Sequence, residues 1–133
     1  MSEHYVSPYR DPNPYIPQSL SEIIDLLSCF IGDAPTMKDQ SGYFPEHNID
    51  TRFHQLVESF GVVRKKLGEE RYAKLIDLAA RTKALFLEDP EDTNGKTMEG
   101  IKLVWEMEEI IQDTRSRRVK AKLKDDEGEV TGD

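Results

Sequence analysis

The clearest pattern along the chain is the return of apolar residues every three to four positions, the spacing of one face of an α-helix. Leu20, Ile23, Ile24, Leu27, Phe30 and Ile31 make the first stripe, broadened by Leu26. Ser19 stands three residues before Glu22, a capping-box spacing, and Gly32 and Pro35 end the run. Phe53, Leu56, Val57, Phe60, Val63 and Leu67 make the second stripe, on a helix that opens at Asn48 or Asp50 and stops at Gly68. Gly61 lies inside it and costs about 1 kcal/mol relative to alanine, so a close helix crossing is expected there.

The third predicted helix follows at once, with Glu69 and Glu70 at the positive end of its dipole. Tyr72, Leu75, Ile76, Ala79 and Phe86 line its inner face, and Leu78, Leu85 and Leu87 widen it. So short a link makes the second and third helices an antiparallel hairpin or a helix-turn-helix corner. Asp89–Gly95 has the residues of a turn. A fourth helix is predicted from Thr97 to Asp113 through Met98, Ile101, Val104, Trp105, Glu108 and Ile111, with Leu103, Met107 and Ile110 beside the stripe and Gly100 in the first turn. Trp105 is expected to be mostly buried on that stripe.

Around these helices the composition changes twice. Residues 1–18 hold Pro8, Pro12, Pro14 and Pro17 with Tyr5, Tyr9 and Tyr15, which predicts an extended arm. Residues 32–48 are a long connection whose Tyr43 and Phe44 favour packing. From Arg115 to Lys124 six residues in ten are basic, and Asp125, Asp126, Glu127, Glu129 and Asp133 follow. Residues 115–133 therefore read as a fraying helix end and a disordered charged tail. The expected fold is all-α, a small bundle of about four helices over residues 19–114, between the arm 1–18 and the tail 115–133.

The chain has 133 residues, a formal net charge of −8 and an apolar share of 37%, below the average globular domain. An acidic protein repels phosphate backbones, so nucleic acid is disfavoured as a partner. No apolar stretch approaches the roughly 20 residues needed to cross a bilayer, so a membrane is not expected either. Met1–His4 is not basic and no apolar run follows it, which predicts a cytoplasmic protein without a secretory signal. Cys29 is the single cysteine, so intrachain disulfides and multi-cysteine zinc patterns are absent. On or beside the apolar stripe, it reads as a buried, inert small hydrophobe.

Catalytic patterns are missing. His47, Asp50 and His54 would share a face only if their helix began early, and they lack a zinc-enzyme spacing, so surface histidines are expected and no metal. Read as a calcium loop with Gly95 at position six, the turn would put Pro90 at position one and Ile101 at position twelve, and the pattern fails. That acidic turn then reads as a cap for the fourth helix. Gly95–Lys96–Thr97 ends like a phosphate loop but lacks the earlier glycine. No cofactor and no enzymatic activity are expected.

A protein that works by binding another protein is the leading expectation: an inhibitor, antidote or immunity-type factor that masks a basic surface. Its expected contact residues are the aromatics Tyr5, Tyr9, Tyr15, Tyr43 and Phe44 and the exposed carboxylates Glu88, Asp89, Glu91, Asp92, Glu106 and Glu109. The alternative is a structural or adaptor subunit that buries leftover apolar surface of the third and fourth helices in a homo-oligomer. The third reading is a helix-turn-helix-like regulator, in which Arg71, Lys74, Arg81 and Lys83 are offset by Glu69, Glu70 and Asp77.

Overall fold

The computed structural model describes residues 15–38, 48–123 and 131–133. The expectations placed on Tyr5, Tyr9, Tyr43, Phe44 and His47 lie outside these residues. Among the described residues the fold is all-α, with five helices: α1 (Leu20–Asp33), α2 (Ile49–Val62), α3 (Arg64–Leu67), α4 (Glu69–Leu87) and α5 (Lys96–Leu123).

The helices start where polar caps stand. The Ser19 side chain accepts the Glu22 backbone N–H and opens α1. Asn48 and Thr51 form a reciprocal capping box that opens α2. Gly68 joins α3 to α4 with φ 85° and ψ 161°, a conformation essentially restricted to glycine.

α5 packs between α4 and α1, and α2 packs against α4 and α1. The core is held by an edge-on aromatic series: the rings of Phe30 and Phe53 lie 4.9 Å apart, and those of Phe53 and Phe86 lie 6.1 Å apart. Leu20, Ile23 and Leu27 from α1, Leu56 and Phe60 from α2, Leu75 and Leu78 from α4, and Val104, Met107 and Ile111 from α5 complete it. No described helix is long and apolar enough to cross a membrane.

Four expectations about the helices are corrected. The second helix is broken at Val63, whose φ of −100° and ψ of 14° leave the helical region and end α2. Gly61 and the β-branched Val62 and Val63 are weak helix formers, and the bend buries the Val63 side chain. Gly61 itself has open space around it, and the close approach occurs at Gly100, against Phe86. Trp105 is 49% exposed, because the buried stripe of α5 runs through Thr97, Gly100, Val104, Met107, Ile111 and Thr114 and leaves it outside. Cys29 is exposed rather than part of the core.

α5 runs on through the basic stretch to Leu123, where Lys120 and Lys122 suit its negative end. Thr131–Asp133 lies against the bundle. The Asp133 carboxylate accepts from the Ser21 N–H at 3.0 Å, from the Ser21 hydroxyl at 2.8 Å and from Arg115 Nε at 3.0 Å. Arg118 Nε donates to the Gly132 carbonyl at 3.0 Å.

Candidate protein-binding site

α4 and α5 run antiparallel, and one flank of the pair is an open cleft of about 380 Å³ lined by Glu70, Arg71, Lys74, Glu106, Glu109, Ile110 and Asp113. Two ion pairs cross it. Lys74 Nζ stands 3.4 Å from Glu106, and Arg71 Nη2 stands 3.8 Å from Asp113, which also takes Arg117 Nε at 2.8 Å. Glu70 and Glu109 line the same cleft and belong to none of the ion pairs among the described residues. Four carboxylates thus face two cations, with Ile110 as the apolar contribution, and the local field is negative.

Glu106 and Glu109 are therefore brought together with residues that sequence reasoning missed. Their signal was present in the hairpin itself. Arg71 and Asp113 lie equally far from the turn at Asp92, so an antiparallel pair must set them side by side.

The turn carboxylates are elsewhere. Glu88 lies about 27 Å from Glu70 along α4, at 1.5 Å per residue. Glu88, Glu91 and Asp92 are exposed. Asp89 is 1% exposed, so its placement among the exposed carboxylates is corrected. Its carboxylate accepts the N–H groups of Thr93 at 2.7 Å, Asn94 at 3.2 Å and Thr97 at 3.0 Å, and the Thr97 hydroxyl at 3.0 Å. Burial raises the Asp89 pKa, but the bonds from Thr93, Thr97 and Asn94 outweigh it and hold the carboxyl below the usual aspartate value. This residue ties the turn to the start of α5 and has no lone pair to spare for a partner.

Tyr15, 60% exposed, stands beside α1 and α2. Its hydroxyl donates to Glu22 at 2.5 Å, and its carbonyl accepts from Gln55 Nε2 at 2.9 Å. The hydrogen bond to the Glu22 carboxylate raises the phenol pKa. This anchoring fastens residues 15–18 to α1 and α2.

A second groove between α2 and α4 is lined by Phe53, Val57, Ile76, Ala79 and Ala80, with Asp50, His54 and Lys83 at its edge. The Asp50–Lys83 ion pair, at 2.9 Å, closes that edge. His54 is exposed, and among the described residues no three His, Cys, Asp or Glu side chains could hold a metal ion together. Compared with protein families, with curated proteins and with solved structures, the chain matches none of them.

Proposed function

We propose that this protein acts by binding another protein that carries a basic surface, and that the α4–α5 cleft is the contact. The inhibitor, antidote or immunity-type role belongs to this reading. Four carboxylates converging on one cleft, two of them without an ion-pair partner, carry it. A lysine or arginine of the partner would meet Glu70 and Glu109 beside Ile110, gaining charge and apolar contact together.

The test captures the partner on the full chain from native lysate, identifies it by mass, and measures its binding kinetics at two salt concentrations. The expected partner is basic. Its association slows as salt rises, because steering is screened over about 8–10 Å at physiological ionic strength. The double variant Glu70→Gln/Glu109→Gln should slow association several-fold and leave dissociation nearly unchanged. Unchanged kinetics in that variant would remove the cleft from the reading. Neutralising Glu88, Glu91 and Asp92 is the control, since these charges lie at the far end of α4.

A homo-oligomer is the second reading, favoured by the large apolar side chains that α4 and α5 leave in water: Leu87 at 58%, Met98 at 49% and Trp105 at 49% exposure.

A further inference from the structure

We propose that the outward face of α5 is covered by a second copy of this chain, α5 against α5 in antiparallel alignment about a two-fold axis beside Trp105. This deepens the homo-oligomer reading and shares only Glu109 with the acidic-cleft reading, so variants at Trp105 and at Glu70 tell the two apart.

At 100° per residue, Met98, Lys102, Trp105, Glu109 and Gln112 fall within an arc of roughly 80° and extend over about 21 Å of helix. All five are exposed. Trp105 and Met98, seven residues apart on this face, are each 49% exposed. An indole in water is the residue type most enriched at protein contacts, where its apolar body is covered and its N–H stays hydrated.

The charges on the face select both the occupant and the direction. Among the described residues neither Lys102 nor Glu109 takes part in an ion pair. Lys102 precedes Trp105 by three residues and Glu109 follows it by four. A two-fold axis midway between Lys102 and Glu109 therefore passes beside Trp105. It sets Lys102 of each copy against Glu109 of the other, twice by symmetry, with the two indoles flanking the axis. A parallel pairing would oppose Lys102 to Lys102 and Glu109 to Glu109. The face is thus complementary to itself in one orientation, which is the requirement of an isologous dimer. One helix face is a small contact, at or below the roughly 1,200 Å² of stable complexes, so association in the roughly micromolar range is expected.

Trp105 is the only tryptophan of the chain, so it reports directly on this contact. The full chain is examined by sedimentation equilibrium and by tryptophan emission over a concentration series. The mass should rise from 15.3 kDa towards twice that value, and the emission should shift to the blue over the same range. Trp105→Ala should abolish the mass increase. Lys102→Glu and Glu109→Lys should each weaken dimerisation about tenfold or more, because each opposes like charges at two places. The double variant Lys102→Glu/Glu109→Lys should restore it to within about threefold. Circular dichroism confirms that each variant keeps its helix content.

A mass of 15.3 kDa with constant emission at every concentration would overturn the proposal, leaving the acidic-cleft reading untouched. A dimer indifferent to Trp105→Ala and Lys102→Glu would overturn it equally, because another surface would then be responsible. Failure of the double charge exchange to rescue the single variants would reject the antiparallel pairing.

Discussion

A Cβ placed on Gly100 would stand 2.5 Å from Cε1 of the Phe86 ring. Phe86 is buried and sits edge-on to Phe53 at 6.1 Å, so its ring has little room to retreat. Helix propensity favours alanine over glycine by about 1 kcal/mol, whereas overpacking a filled core costs about 1–3 kcal/mol. Gly100→Ala should therefore be net destabilising despite its better propensity, and Gly61→Ala, with open space around it, should not be. Thermal melts of the two variants side by side check this. A Gly100→Ala protein as stable as the parent would mean that the ring yields.

Asp89 couples stability to acid. Its folded pKa lies below the ordinary aspartate value of 3.8, which the unfolded chain retains. Its contribution is thus fully present above that value and is lost as the pH falls through the depressed folded pKa. Asp89→Ala should lower the Tm by several degrees at neutral pH, and the difference from the parent should shrink below about pH 4. Melting curves from pH 7 to pH 2 show whether the two proteins converge.

Asp133 joins the start of α1 to α5 through Ser21 and Arg115. Burial raises its pKa, but the bonds from Ser21 and Arg115 outweigh it and leave it lowered. Asp133→Ala should speed hydrogen exchange at the Ser21 amide and lower the Tm at neutral pH more than at pH 2, where protonation weakens these bonds in the parent as well. Unchanged exchange at Ser21 would show that the 131–133 segment adds nothing to the bundle.

Arg52 and Asp33 pair at 2.6 Å, with the Arg52 side chain buried, its Nε unpartnered, and Asp33 half-buried beside it. Removing the acid strands a buried cation, so Asp33→Ala should cost about 3 kcal/mol. Arg52→Met removes the unsatisfied Nε along with the charge and should change stability by less than about 1 kcal/mol. Urea denaturation of both variants compares the two costs, and equal costs would reject this account.

The starts of α1, α2 and α4 were legible in the sequence because caps act locally. Ser19, Asn48 and Gly68 satisfy or release backbone groups within four residues, and the all-α class follows from the 3.6-residue stripes they bracket. The role of the Asp89 turn as a cap for the following helix was legible for the same reason, although the burial of its carboxylate was not. The outer side of α5 was decided only by tertiary packing. Met98, Ile101, Leu103, Val104, Trp105, Met107, Ile110 and Ile111 surround that helix almost completely, so periodicity alone cannot say which side enters the core. Gly100 settles it: the missing side chain admits Phe86, the helix is drawn in along the Gly100–Val104–Met107–Ile111 line, and Trp105 turns outward. The docking of Asp133 on Ser21, 112 residues away, and the gathering of Glu70, Glu106, Glu109 and Asp113 in one cleft likewise depend on how α1 and α4 lie against α5. Local chemistry sets where a helix begins and ends; which of its faces meets water is set by the shape of the neighbours it packs against.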